Sequence, residues 1–218
     1  MTQFAFDLPA NPALGRADFL KSDCNAAALA RIESWPDWPG RMLVLHGPPG
    51  SGKSHLAHLW RERSGGMLIV GDKLAGHDPS ALARLPAVAV DDAERAGEQA
   101  LLHLFNCCHE GGAGLLVVAR EPPAIRLIAL PDLASRLRAA PAVGIGLPDD
   151  ALLAAVLVKH FADRQLRVAP GVVAYLVPRM ERSFAAAAAL VARLDRLALS
   201  AQRPIGLALA RRTLAEFE

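Results

Sequence analysis

The chain has 218 residues, 52% of them hydrophobic and 21% charged, with a formal net charge of +2. That balance excludes a disordered polymer, and the small net charge argues against a dedicated nucleic-acid binder with a dense basic stripe. No apolar run reaches membrane-spanning length, no basic leader precedes a cleavage pattern, and three cysteines, with Cys107 and Cys108 adjacent, make a poor disulfide framework. A cytosolic chain with no membrane partner is expected.

The N-terminal stretch Gln3-Phe4-Ala5-Phe6-Asp7-Leu8 alternates apolar and other residues, then runs into Pro9 and Pro12. Three readings fit it: an edge strand, a frayed tail, or a peptide for a partner's groove. Asp18 to Trp35 reads as a turn and a helix that Asp23 or Asn25 can cap, with Ala26, Leu29, Ala30 and Ile32 in helical spacing. Trp35-Pro36-Asp37-Trp38-Pro39-Gly40 breaks the chain.

Short apolar runs then alternate with helices. Strands are predicted at 42–45, 67–70, 87–90 and 115–119, with a weaker fifth at 142–147, and helices at 53–63 and 98–110. Near-continuous apolar strands between helices mean a parallel sheet covered on both faces. After Leu147 the pattern turns helical, with helices predicted at 149–164, 170–179, 184–200 and 204–216. The fold class is therefore α/β, a five-stranded parallel sheet followed by a small all-helical unit. Residues 1–16 form a lead peptide and linker, 17–147 the α/β domain, and 148–218 the helical domain. The second half is mildly basic: residues 1–119 hold 10 Lys/Arg against 13 Asp/Glu, and residues 120–218 hold 14 against 9. A solvated helical surface accounts for this.

Gly47-Pro48-Pro49-Gly50-Ser51-Gly52-Lys53-Ser54 matches G-x-x-x-x-G-K-[ST], directly after a predicted strand and at the start of a helix. Glycines let backbone N–H groups wrap phosphates, and the helix N-terminus adds its positive pole. Lys53 would reach the β- and γ-phosphates, and Ser54 would offer its hydroxyl to Mg²⁺. The strand Ala87-Val88-Ala89-Val90 ends in Asp91-Asp92. Asp91 would hold Mg²⁺ through water, and Asp92 would stand near the attacking water. ATP or ADP with Mg²⁺ is thus the expected ligand.

His103, Cys107 and His109 share one helix, and a metal site there is conceivable. Leu101, Leu104, Phe105 and Cys108 form an ordinary amphipathic stripe on the same helix, which favours Cys108 as a core residue. His46, His55 and His58 flank the phosphate loop, where packing or surface roles outweigh catalysis.

Together these motifs resemble an AAA+ module, and the finer match is to the replication initiator DnaA and its short Hda-type homologues. Gly52-Lys53-Ser54-His55-Leu56-Ala57-His58 is similar to the initiator's GKTHLLHA. Leu104-Phe105-Asn106, His109-Glu110 and Arg120-Glu121-Pro122-Pro123 follow its order of conserved boxes. Leu133-Ala134-Ser135-Arg136-Leu137 resembles the box with the arginine finger, and Met180-Glu181-Arg182-Ser183 the sensor II segment of the lid. The similarity covers roughly residues 17–216. No DNA-reading domain follows the lid in this sequence, which is the Hda-type form.

The resemblance implies several roles. Gly47 to Ser54, His55 and Arg182 would contact nucleotide. Arg136 would act in trans on ATP held by DnaA, with Arg138 close by as the alternative finger. Gln3, Phe4, Phe6 and Leu8 would dock the DNA polymerase sliding clamp, matching a peptide of the form Q-L-S-L-P-L. Homodimers are expected on the family alone.

The sensor I region reads Val117-Val118-Ala119, without a polar residue, so little or no intrinsic hydrolysis is expected. The leading expectation is a nucleotide-bound regulator that binds the clamp and stimulates ATP hydrolysis by DnaA. Two other classes compete: an autonomous AAA+ ATPase such as a helicase or clamp loader, and an origin-associated protein that touches DNA weakly or indirectly. A small-molecule P-loop kinase is the remaining rival, which Arg182 and the Ser135-Arg136 pair count against.

Overall fold

The computed structural model describes residues 14–201 and 203–216. The clamp-binding residues proposed at Gln3, Phe4, Phe6 and Leu8 lie outside them.

Five strands form one parallel sheet: β1 (Met42–His46), β2 (Met67–Val70), β3 (Ala87–Asp91), β4 (Gly114–Ala119) and β5 (Ala142–Gly144), in the order β2-β3-β4-β1-β5. The helices are α1 (Asp23–Glu33), α2 (Lys53–Ser64), α3 (Pro79–Leu82), α4 (Glu98–Gly111), α5 (Pro131–Ala139), α6 (Asp150–Asp163), α7 (Val172–Leu176), α8 (Phe184–Ala201) and α9 (Leu207–Ala215).

The strands are apolar throughout because both sheet faces are covered. Met42 and Val44 of β1, Val88 and Val90 of β3, and Leu115 and Val117 of β4 pack with α3, α4 and α5. The alternate residues Leu43, Leu45, Ala87, Ala89, Leu116 and Val118 face α1 and α2 on the other side. This is the period-2 alternation of a strand buried on both faces.

The second face is built around the chain's three tryptophans. Trp38 and Trp60 stack with centroids 5.1 Å apart, and Trp35 meets both edge-on at 5.0 and 5.2 Å. Such a cluster needs small neighbours. Gly114, at the start of β4, has the Trp35 ring where a side chain would be: a Cβ there would lie 2.2 Å from Trp35 Cη2.

Local signals set most helix ends. Gly65 (φ 64°) and Gly112 (φ 73°) close α2 and α4 in the left-handed conformation. Asp149 caps α6, its carboxylate accepting the Leu152 N–H at 2.7 Å. The cap of α1 is Ser22, not Asp23 or Asn25; Asn25 turns back instead, and its Oδ1 accepts the Ser22 N–H at 2.9 Å.

Three other expectations are corrected. Helix α5 was not foreseen, although Pro131 sits correctly in its first turn. Strand β5 stops at Gly144 rather than 147, being an edge strand paired only to β1. Helix α7 is short because Gly171 (φ 84°) precedes it and turns replace helix after Leu176.

Helices α6 to α9 enclose their own apolar centre, including Leu153, Leu157, Leu176, Val191 and Leu194. This is the lid. A single bridge, Val168 to Ile205, is its only strand-like pairing among the described residues. Ser22 Oγ reaches Asp149 Oδ2 at 3.2 Å, tying the front of α1 to the first residue of the lid.

Gly114→Ala should destabilise the fold by about 1–3 kcal/mol, the usual result of overpacking a filled core. Denaturant midpoints followed by tryptophan fluorescence measure it, and an unchanged midpoint would contradict the tight approach of Trp35.

Candidate nucleotide site

The ends of β1, β4 and β5 converge on the glycine that opens the phosphate loop. Gly47 N–H donates to the Arg120 carbonyl at 3.2 Å, and the Ile145 N–H donates to the His46 carbonyl at 2.8 Å. Gly47 has φ 156°, and a Cβ on it would lie 2.9 Å from the Ile145 carbonyl oxygen. Gly50 (φ 76°) and Gly52 (φ 91°) adopt left-handed backbone that other residues resist. A Cβ on Gly50 would meet Phe184 Cβ at 3.2 Å, so the first residue of lid helix α8 rests on the loop. Pro48 and Pro49 stiffen the first half of the loop, and Pro48 also serves as an acceptor.

Lys53 begins α2 and is 8% exposed. Its ammonium donates to the carbonyls of Gly47 at 2.8 Å and Pro48 at 2.9 Å. Burial pushes its pKa down, while the carboxylates of Glu94, Asp91 and Asp92 oppose that shift. Ser51 Oγ is buried without a hydrogen-bond partner, and Ser54 is exposed in the first turn of α2. A buried hydroxyl lacking a partner inside a loop of this shape fits an oxygen-rich ligand.

His55 lies beside the loop and helps to line the cavity between loop and lid. Its Nε2 lies 2.9 Å from the Gly15 carbonyl, and its ring meets Phe19 edge-on at 5.3 Å. Phe19, Leu20, Gly50, Val156, His160 and Phe184 help to line a cavity of about 110 Å³ between the loop and the lid.

Asp91 and Asp92 end β3 as half-buried residues. Asp92 is left-handed (φ 48°), and its N–H donates to Asp91 Oδ1 at 3.0 Å. Both carboxylates favour the protonated form of Lys53. Val117, Val118 and Ala119 are buried in β4, as expected of apolar residues. The polar residue at the end of that strand is Arg120, one position later, ion-paired to Glu94 at 3.4 Å. Sequence reasoning gave neither Glu94 nor Arg120 a role in the site. Their pairing spans 26 residues and leaves no local signal.

The other two arginines lie apart. Arg182 precedes α8 and pairs with Asp150 at 3.0 Å, at the N-terminus of α6. Arg136 pairs with Asp132 one turn back at 3.0 Å and lies over the Phe105 ring at 5.8 Å. Arg136 and Phe105 line a cleft of about 390 Å³ with Gly40, Met42, His109 and Pro141. Met42 opens β1 and Pro141 precedes β5, so Arg136 sits at the strand starts, the edge opposite the phosphate loop. Arg138 is exposed two residues on.

Cys108 is fully buried, and burial pushes its thiol up to about 12. Among the described residues, no three His, Cys, Asp or Glu side chains gather into a metal site, so His103, Cys107 and His109 make none.

Residues 149–214 match the family model of the Hda lid domain. The fold is similar to domain III of the Thermotoga maritima replication initiation protein DnaA, at 17% identity and a TM-score of 0.78, covering 96% of this chain and 99% of that one. The two matches cover different parts: the fold of the whole chain is shared with that domain, and the match to the Hda lid model is confined to residues 149–214. An AMPPCP-bound DnaA from Aquifex aeolicus is similar at 15% identity and a TM-score of 0.66, covering 85% of this chain and 66% of that one. The Thermotoga maritima RuvB Holliday junction branch migration motor is similar at 15% identity and a TM-score of 0.67, covering 93% and 72%. No helix among the described residues is long and apolar enough to cross a membrane.

His46, His58 and His160 are all held below the ordinary imidazole range, by burial first. The unfolded chain takes up protons below about pH 6.5, where the folded chain resists them, so stability is full above that pH and falls beneath it. Glu98, lowered by hydrogen bonds from the Ala129 and Leu130 N–H groups, acts only in the carboxylate range. Thermal melts should therefore show a lower Tm at about pH 5.5 than at about pH 8, with His160→Gln reducing the difference. Equal acid sensitivity in that variant would remove His160 from the account.

Proposed function

We propose that this protein is a nucleotide-bound AAA+ regulator of replication initiation that makes DnaA hydrolyse its ATP. The observation that carries the reading is the Hda-type lid on a DnaA-like module whose Arg136 lies at the sheet edge opposite its own phosphate loop. Strand β1 is five residues long, and at about 3.3 Å per residue it separates the two edges by about 16 Å. Arg136 is thus remote from any nucleotide in its own chain and free to serve another's.

In this reading ADP or ATP lies along residues 47–54. Lys53 exchanges the Gly47 and Pro48 carbonyls for phosphate oxygens, and backbone N–H groups of the loop and of α2 complete the cradle. Ser54 and Asp91 would hold Mg²⁺, which would neutralise phosphate charge there. The base enters the cavity beside Phe19 and Phe184. Arg182 reports on the nucleotide from the lid. The peptide Gln3, Phe4, Phe6 and Leu8 docks the sliding clamp and brings the protein to DNA. Arg136 then offers its guanidinium to the phosphoryl group transferring in DnaA's site.

In a mixture of clamp, DNA and ATP-bound DnaA, Arg136→Ala should lower stimulated hydrolysis by about 10³-fold. Clamp capture by that variant should stay intact, and persistent stimulation would overturn the assignment. Gln3→Ala should reduce clamp capture and stimulation together, while nucleotide binding by the isolated protein stays normal. Substantial ATP turnover by the purified protein alone would favour the autonomous ATPase instead.

A further inference from the structure

Two arginines of the lid are held by an aromatic ring instead of a carboxylate. Tyr175 lies in α7, Arg211 in α9, and Arg179 in the turn that follows α7. The Arg179 guanidinium lies over the Tyr175 ring, 4.3 Å from its centre, and its Nη1 donates to the Tyr175 carbonyl at 3.1 Å. The Arg211 guanidinium lies over the same ring at 5.5 Å. Both arginines are exposed and Tyr175 is half-buried, so the ring fixes two cations at the lid surface.

Two guanidinium groups sharing one ring repel each other, and a nearby carboxylate would relieve this. Among the described residues no carboxylate pairs with either. The lid's Asp150, Asp195 and Glu216 are taken up by Arg182, Arg164 and Arg193. The segments that build this surface, residues 171–183 and 203–216, hold five arginines against the two glutamates Glu181 and Glu216. They carry more positive charge than the whole chain, whose net charge is +2.

Phosphate is the anion that such a pair fits. Guanidinium groups bind phosphate oxygens through charge-assisted hydrogen bonds, and two at fixed positions can hold neighbouring phosphates of one backbone. A single strand would also need rings on which its bases stack. Tyr175 is taken up by the two cations, and the large apolar side chains exposed among the described residues are all aliphatic. The chemistry is therefore that of a backbone contact without base stacking, which a duplex satisfies.

We propose that the surface formed by Arg179, Tyr175 and Arg211 binds the phosphate backbone of duplex DNA without reading its sequence. Arg179 and Arg211 are the binding residues, and Tyr175 is a positioning residue that holds both. Neither arginine lines the cavity beside the phosphate loop, and the inference rests neither on the nucleotide site nor on Arg136.

The test is fluorescence anisotropy of a labelled duplex, and of one of its strands alone, with the full chain and its variants between about 50 and about 200 mM salt. Binding should fall steeply with salt, be indifferent to sequence and favour the duplex. Arg179→Ala and Arg211→Ala should each weaken duplex binding several-fold at low salt and lower the slope of log K against log salt by about 1. Arg179→Gln and Arg211→Gln, at exposed positions, should repeat those results with the fold intact. Tyr175→Leu should weaken binding as well, whereas Tyr175→Phe, which keeps the ring, should bind normally. Arg31→Ala, which removes the same charge from exposed α1 surface, should leave binding unchanged. Unchanged binding and slope in the Arg179 and Arg211 variants, or an equal loss in Arg31→Ala, would overturn the proposal. Tighter binding of the single strand would overturn the duplex assignment. No duplex binding at low salt would refute the surface as a DNA site and leave an acidic protein as the partner that these arginines fit.

Discussion

The close approach of three strand ends at Gly47 is the constraint on which the site depends. β1 lies between β4 and β5, and its last residue hands over to a glycine with no room for a side chain on the β5 side. The Gly47 N–H is spent on the Arg120 carbonyl, so the loop cannot drift from the end of β4. The Gly47 and Pro48 carbonyls then turn inward to receive Lys53. A larger residue would separate these strand ends and move every group that follows. This is how a buried parallel sheet fixes a loop that has little secondary structure of its own.

Lys53 and the arginines at 120, 136 and 182 are each held by an acceptor from the same chain, but on different terms. Lys53 is nearly buried and donates to two carbonyls, so its position is set by the backbone and by desolvation. Arg120, Arg136 and Arg182 hold carboxylates at Glu94, Asp132 and Asp150, with side chains 57%, 36% and 67% exposed. Exposed pairs of this kind contribute little and exchange readily. The buried lysine belongs to the framework, whereas the arginines can change partner without unfolding anything. A protein that answers to a nucleotide or to another protein needs its mobile charges at the rim and its fixed charge inside.

Much of this was legible in the sequence, for physical reasons. β2 falls at residues 67–70 as expected, and β1, β3 and β4 within a residue of their expected bounds. Strands buried on both faces read as unbroken apolar runs, and the phosphate loop carries its own spacing. Helix α5 was missed because it is only nine residues long and buries just Leu133, Ala134 and Leu137, although those three share one face. The Asp132 to Arg136 spacing, four apart, was the signal that could have found it. The Glu94 to Arg120 pair had no such signal. It depends on two strand ends lying side by side, which only the sheet order decides. Stopping at Ala119 in search of a polar residue ended one position too early for the same reason, since the strand's last buried residue cannot be told from its first exposed one by composition.

The placement of the phosphate loop and Arg136 at opposite edges of one sheet also constrains assembly. A two-fold dimer brings the same surface of each subunit together. It cannot set the Arg136 edge of each chain against the Gly47 edge of the other unless both edges lie in one interface. The 16 Å that a five-residue strand spans, about 3.3 Å per residue, holds those edges apart. For Arg136 to serve another chain's nucleotide, as proposed, one chain's strand starts must meet the other's strand ends. A head-to-tail contact does this and leaves the phosphate loop of the chain that supplies Arg136 outside it. On that arrangement the loop would couple within its own chain, to the lid, where Phe184 lies against Gly50.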